Sequence, residues 1–219
     1  MSQQKPPRLT AETATEVCGR FPLGEAAGGL LADGIGHETF LVRLLEAGHF
    51  VDAARFLAHG LPKREAVWWA CRAARRAAGA KPSPEVEAAI RTAEMWVVEP
   101  TEENRRPAFD AAEAATFATA AGCAAASAFW SGGSLAPPAA PVVPPGEYMT
   151  AMGASAAVLL AGAAGPADEI PAAYRALIDD GLGIARGEGL WTEPAPKAPE
   201  PSPSRKPAPT ELKQPIRWE

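Results

Sequence analysis

An alanine-rich stretch constrains the fold of this chain more than any other feature. Residues 108–128 hold 12 alanines in 21 positions, and the bulky side chains in and next to this run are those of Phe109, Phe117, Phe129 and Trp130. Alanine has the highest helix propensity, and its small side chain lets neighbouring backbones approach closely. No convincing alternation of apolar and polar residues appears anywhere, so strands are not expected. The sequence therefore predicts an all-α fold with closely packed helices.

Three amphipathic helices are predicted between His37 and Gly79, separated by Gly48 and by residues 60–62. Apolar residues recur there at spacings of three and four, as on the buried face of a helix. Gly48 supplies a left-handed stop between the first two helices. Because the connections are short, consecutive helices should be antiparallel, in a helical bundle or a short α-solenoid-like array of helical hairpins.

Further helices are predicted on both sides of this region. Ser83 should cap a helix that stops at Glu99, because Ser at the N-cap and Pro at the next position suit the free N–H groups there. Pro107 should kink the following helix, or delay its start from Thr101 to Asn104. The remaining predictions are two weak helices near the N-terminus, residues 10–18 and 23–32, and two stronger ones, residues 147–165 and 171–186.

The predicted domain organisation is a single helical domain over residues 10–191, preceded by a flexible segment, residues 1–9. Residues 131–147 form a connection with five prolines, which is expected to lie across the surface of the domain. Residues 192–219 hold eight prolines and few large apolar side chains, a composition that predicts disorder.

Charge and cysteine content limit the classes of function. The formal charge is −5, which disfavours a nucleic-acid binder. The chain has three widely spaced cysteines, and no apolar leader follows its first residues. We therefore expect a cytoplasmic location. Residues 148–167 are uncharged, but they are mostly small, so a buried bundle helix is favoured over membrane insertion.

The candidate catalytic group is Cys71, for which His37, His49 or His59 would be the base. Cys71 lies in the middle of a predicted helix, however, where a cysteine usually packs as a small apolar side chain. The string "HETFL" lacks the second histidine of a zinc-protease helix. The sequence therefore predicts no metal or cofactor, and a cysteine-dependent enzyme is only the alternative to a non-enzymatic protein.

Trp68 is the most unusual residue of the third predicted helix. At about 100° per residue, Trp69 borders the apolar face, whereas Trp68 falls among Arg64, Arg72 and Arg75. Something must therefore cover Trp68, either a stacked arginine or a crossing segment such as the Pro-rich connection, or else a partner protein. We treat Trp68 and these three arginines as candidate partner-binding residues.

Trp130 and the Pro-rich tail add three further candidates for partner contact. Trp130 lies where the Pro-rich connection begins, and Ile216 and Trp218 lie near the end of the sequence. Apolar anchors in a Pro-rich segment without its own core are typical of short recognition motifs. An inert solubilising tail is the alternative.

Three strings, "LLEAGHFVDAARFLAHGLPKREAVWWACRAA", "EENRRPAFDAAEAA" and "FWSGGSLAPP", resemble a bacterial family known only as a domain of unknown function. The resemblance covers roughly residues 37–185 and implies no activity. It suggests an association with type VI secretion, and hence an adaptor or chaperone for a secreted effector or a spike component. The resulting hypothesis is a non-enzymatic interaction protein, with a self-associating structural subunit as a further alternative.

Overall fold

The computed structural model describes residues 7–192, and every regular element within that range is a helix. This confirms the predicted all-α class. The helices, in chain order, are α1 (Ala14–Cys18), α2 (Glu25–Gly28), α3 (His37–Glu46), α4 (Phe50–Gly60), α5 (Lys63–Ala78), α6 (Pro84–Val98), α7 (Glu102–Arg105), α8 (Pro107–Ala115), α9 (Ala120–Phe129), α10 (Met149–Gly162) and α11 (Ile170–Ala185).

Helix α9 is the centre of the fold. All of its residues are buried, and it contacts α5, α6, α8 and α10. Helix α10 also packs against α4 and α11. In a solenoid each unit contacts only its sequence neighbours, whereas α9 is enclosed by helices from both halves of the chain. Of the two predicted arrangements, the bundle is therefore the one that forms.

Small residues allow this close packing, as the contact between α9 and α10 illustrates. A Cβ atom placed on Gly153 would lie 2.9 Å from Ser127 Cβ and 3.1 Å from Ser127 Cα. Gly153 therefore belongs to a contact between helix backbones. The string "GASAA" at this point packs a helix and does not form a strand-to-helix nucleophile turn.

Several helix boundaries agree with the sequence. Ser83 caps α6 by accepting a hydrogen bond from the N–H of Val86, and Glu99 follows the last residue of that helix. Gly48 has a φ of 77°, as a left-handed stop requires. These signals could be recognised in the sequence because each depends on only a few adjacent residues.

Other boundaries differ from the sequence predictions. The alanine-rich run is broken at Thr116, which has a φ of 61°, and Thr119 then caps α9 by accepting from the N–H of Gly122. Pro107 does not kink one helix but begins α8, after the single turn of α7. The first helix is shorter than predicted, because Thr13 rather than Thr10 caps it.

The Pro-rich connection, residues 131–147, contains no helix or strand and folds back on itself. The N–H of Leu135 donates to the carbonyl of Val143 at 2.8 Å. The Ser134 hydroxyl accepts from the N–H groups of Ala136 and Val143. Only the start of the segment is fastened to the domain, where the carbonyls of Ser131, Ser134 and Ala136 accept from side chains of α5 and of residues 105–106. Residues 137–144 are exposed, so the predicted packing across the surface is limited to the first residues of the connection.

The N-terminal segment is attached to the domain from Arg8 onwards, which is earlier than predicted. The N–H of Arg8 donates to the carbonyl of Ala185 at 2.7 Å. Leu9 packs against the core next to Gly60. Residues 1–6, predicted to be flexible, and residues 193–219, predicted to be disordered, lie outside the described residues.

Candidate interaction surface

Trp68 is partly buried and is covered by its own chain. Its indole N–H donates to the carbonyl of Gly189 at 2.8 Å. The Trp191 ring meets it edge to face, with ring centroids 6.4 Å apart. The covering segment therefore follows α11, and the suggestion that the Pro-rich connection covers Trp68 is wrong.

The neighbouring Arg64 connects α5 to the end of α6. Its Nε donates to the carbonyl of Val97 at 2.6 Å, and its Nη2 donates to that of Val98 at 2.8 Å. Its guanidinium lies 4.2 Å from the centre of the Trp191 ring. A cation suits these carbonyls because the C-terminus of a helix carries partial negative charge. An arginine does stack on a tryptophan here, but on Trp191 rather than Trp68.

Arg72 and Arg75 bind carboxylates of other helices. Arg72 forms a two-point ion pair with Asp180 of α11, with contacts of 2.5 to 3.0 Å. Arg75 binds Glu94 through two nitrogens and Glu87 through a third. The arginines predicted to contact a partner thus fasten α5 to α6 and α11.

Trp130 is also partly buried. Its ring stacks on Phe117, with centroids 6.3 Å apart and planes 4° apart, and its carbonyl accepts from the Thr150 hydroxyl. Phe117 is 44% exposed, so this pair presents some apolar surface. Ile216 and Trp218 lie outside the described residues.

Two of the strings that carried the family resemblance meet at the buried Arg105. Its side chain donates to both carboxylate oxygens of Glu102 and to the carbonyls of Phe129 and Ser134. These hydrogen bonds hold the pKa of Glu102 at about 2, with Arg106 adding to the effect. Gly133 has a φ of 63°, and a Cβ there would lie 2.8 Å from Arg105 and from Glu102. Gly133 is therefore required for the chain to pass over this arginine.

Cys71 is completely buried in α5. Burial raises the pKa of its thiol well above the ordinary value, and Glu94 acts in the same direction. Neither His37, His49 nor His59 hydrogen-bonds to Cys71 within the described residues. A thiolate is therefore disfavoured at this position.

Among the helices that the structure describes, the most exposed large apolar side chain is that of Met152 on α10. Met152 is 60% exposed and Leu160 is 37% exposed, and Ala156 and Leu159 lie partly exposed between them. These four residues follow helical spacing along one face. Because α10 contains no charged residue, this face has no charge of its own. The spacing of Met152, Leu159 and Leu160 among small residues is the signal in the sequence for this face, although the uncharged stretch predicts only a buried bundle helix.

A groove runs beside this face, between α4 and α10. Two adjoining clefts of about 220 and 460 Å³ share Arg20, His59 and Tyr148. The larger cleft is also lined by Phe21, Arg55, Met152 and Leu159, among others. We call the two clefts together the α4–α10 groove.

His59 lies at the base of the α4–α10 groove. Its Nδ1 donates to the carbonyl of Arg55 at 2.8 Å, and its ring contacts those of Phe21 and Tyr148. Burial lowers the pKa of His59, because it disfavours the charged form of the ring. Its Nε2 makes no hydrogen bond to another described residue, which leaves an acceptor available at the groove.

The domain is therefore an α-helical bundle with a small-residue core. Within it, the buried Arg105 joins two of the three strings of the family resemblance. The chain belongs to a family of unknown function (DUF6931), whose model matches residues 40–185. No curated protein and no solved structure matches the chain.

Two further findings concern residues 7–192. No helix there is long and apolar enough to cross a membrane. No group of three or more His, Cys, Asp or Glu side chains in that range is placed to hold a metal ion.

Proposed function

We propose that the chain is a non-enzymatic protein–protein interaction protein whose partner binds at the exposed face of α10. The observation that carries this proposal is the uncharged stripe of Met152, Ala156, Leu159 and Leu160 beside the α4–α10 groove. Contiguous exposed apolar surface on a folded domain is typical of a binding site.

The distribution of interactions over the surface supports α10 rather than α5. Trp68 and the arginines around it are occupied by contacts within the chain. Met152, in contrast, has more than half of its surface exposed, and methionine adapts well to apolar partners. The proposed binding surface is therefore the exposed face of α10 rather than the surroundings of Trp68.

The environment of Cys71 also favours a non-enzymatic role. A nucleophilic cysteine requires access to substrate and a lowered pKa. Cys71 has no exposed surface and a raised pKa. The three unpaired cysteines fit a reducing compartment, so we place the protein in the cytoplasm.

We propose further that the partner is an effector or spike component of a type VI secretion system, for which this chain acts as adaptor or chaperone. This more specific role rests on the family resemblance of the three sequence strings. A chaperone that shields apolar surface of its client needs an apolar surface of its own, which the α10 face supplies.

A photo-crosslinking residue at position 152 tests the proposed function in the native cell. Position 95 is the matched control, because Met95 is also an exposed methionine, 53% accessible, but lies on α6. We expect a covalent adduct with one protein from position 152 and none from position 95. Identification of that protein by mass spectrometry tests the secretion role. Equal labelling at both positions, or none at either, would contradict the proposed binding face.

A further inference from the structure

We propose that the α4–α10 groove binds an acidic, amphipathic segment of the partner protein. This inference rests on the proposed function and adds to it the chemistry of the partner. It is carried by the charges that line the groove and by the apolar surface that continues from it.

The groove is basic on a protein that is acidic overall. Its charged lining residues are Arg20, Arg55 and Lys63 against the single carboxylate of Glu147, whereas the whole chain carries a formal charge of −5. Clefts of one sign of charge attract ligands of the opposite sign and direct their approach. An acidic partner is therefore the complementary one.

The cations of the groove are not neutralised within the described residues. Arg20 donates to the Thr10 hydroxyl and to the carbonyls of Thr10 and His59. Lys63 donates to the carbonyl of Ser131. Neither of these side chains, nor that of Arg55, forms an ion pair with a carboxylate between residues 7 and 192. Their charge is thus available to an incoming carboxylate, in contrast to that of Arg72 and Arg75.

The apolar part of the site has the dimensions of a short peptide. Along the chain, the lining of the larger cleft by α10 and its N-cap runs from Tyr148 to Leu159, and at about 1.5 Å per residue this is a length of roughly 16 Å. This length accommodates about three turns of helix. Phe21, Met152 and Leu159 supply apolar contacts along it, so a segment with one apolar face and acidic flanks fits both properties.

Two other occupants fit less well. Residues 203–219 of this chain hold four Lys or Arg and two Glu, so this tail segment carries the same sign of charge as the groove. A second copy in a two-fold contact would place each basic rim against its own equivalent, because an isologous interface pairs the same patch from both subunits. Like charges facing each other oppose both arrangements.

Selection of phage-displayed random peptides against the full chain tests the partner chemistry. The selection is repeated with the Arg20→Glu/Arg55→Glu double variant, and with Arg91→Glu as the matched control. Arg91 is an exposed arginine on α6, which packs against α5, α8 and α9. Circular dichroism and thermal melting confirm that each variant folds.

We expect the full chain and Arg91→Glu to select peptides that combine apolar residues with an excess of Asp and Glu. A labelled peptide of that composition should bind the double variant about tenfold more weakly and should bind less well as salt rises. Met152→Lys should also weaken the binding of this peptide, whereas Met95→Lys should leave it unchanged.

Three results would overturn the inference. These are selection of neutral or basic peptides, displacement of the acidic peptide by a synthetic peptide of residues 203–219, and formation of a dimer that Met152→Lys dissociates. The crosslinking experiment separates this inference from the proposed function. If the partner captured at position 152 contacts this chain through a basic sequence, the proposed docking face would stand and the proposed acidic ligand would be wrong.

Discussion

The indole N–H of Trp68 and the carbonyl of Gly189 form a 2.8 Å hydrogen bond between the middle of α5 and the segment after α11. The adjacent residue, Trp69, makes the equivalent bond to the carbonyl of Leu177 within α11. Two consecutive tryptophans of α5 therefore hold α11 and the segment that follows it. Their surroundings differ, because Trp69 is completely buried and Trp68 is not.

The two tryptophans should differ in their contribution to stability. We expect Trp69→Ala to lower the free energy of unfolding by about 3–5 kcal/mol, since it leaves a large cavity in the core. Trp68→Ala should cost about 1 kcal/mol, because it removes one hydrogen bond and part of an exposed aromatic contact. Urea unfolding followed by circular dichroism measures both values. An equal cost for the two variants would contradict this assignment of core and edge.

Gly181 and Gly183 form a matched pair on α11. A Cβ at Gly181 would lie 2.7 Å from both Leu57 and the Trp69 ring, so Gly181→Ala should destabilise the protein by about 1–3 kcal/mol. At Gly183 the nearest atom is the Glu188 carboxylate, 3.3 Å away, on an exposed side chain that can move. Gly183→Ala should therefore be neutral or stabilise the protein by up to about 1 kcal/mol, because alanine favours helix. Thermal melting of both variants tests whether α11 approaches Trp69 as closely as these distances indicate.

Glu102 should make stability depend on pH in the acidic range. Its pKa falls from 4.5 to about 2 in the folded protein, first because of its hydrogen bonds to Arg105. A lowered folded-state pKa means that its contribution is complete above about pH 4.5 and is lost as the pH falls towards 2. The difference in stability between wild type and Glu102→Gln should therefore be constant near neutrality and shrink towards pH 2.

The adjacent Glu103→Gln serves as the control for this measurement. Glu103 is exposed and forms no ion pair with another residue between 7 and 192. Denaturant unfolding at a series of pH values compares the two variants. A Glu102→Gln difference that stays constant down to pH 2 would show that the ion pairs with Arg105 and Arg106 do not lower the pKa of Glu102.

The cysteines should react slowly with alkylating reagents in the folded protein. Burial raises the pKa of all three thiols, to about 11 at Cys18 and well above the ordinary value at Cys71. Because the thiolate is the reactive form, native protein near pH 7 should label slowly with iodoacetamide, and unfolded protein should label at all three positions. Peptide mass spectrometry identifies the sites. Rapid native labelling of Cys71 would restore the cysteine-enzyme alternative.

Local signals in the sequence predicted much of the fold. Gly48, Ser83 and the apolar spacing between Phe40 and Leu57 depend on neighbouring residues, and the corresponding helix ends agree with the structure. The angular position of Trp68 on α5 could likewise be calculated from helix geometry alone. That calculation correctly separated it from the buried Trp69.

The sequence could not indicate which segment covers Trp68, because Gly189 and Trp191 lie more than a hundred residues away along the chain. It also could not show that Arg72 and Arg75 are paired with carboxylates of α6 and α11. The sequence likewise did not indicate that Met152 and Leu160 of α10 are exposed. An uncharged helix has no polar face in its sequence, so only the packing of α4, α5, α9 and α11 around α10 decides which side reaches solvent.

The sequence by itself determined the helical class, most of the helix positions and the presence of a small-residue core, because propensity and capping act over a few residues. The tertiary structure alone decided that α9 is the central helix, that Arg105 joins two distant sequence strings, and that Met152 faces solvent. Each of these depends on contacts between segments far apart in the chain, which no local pattern encodes.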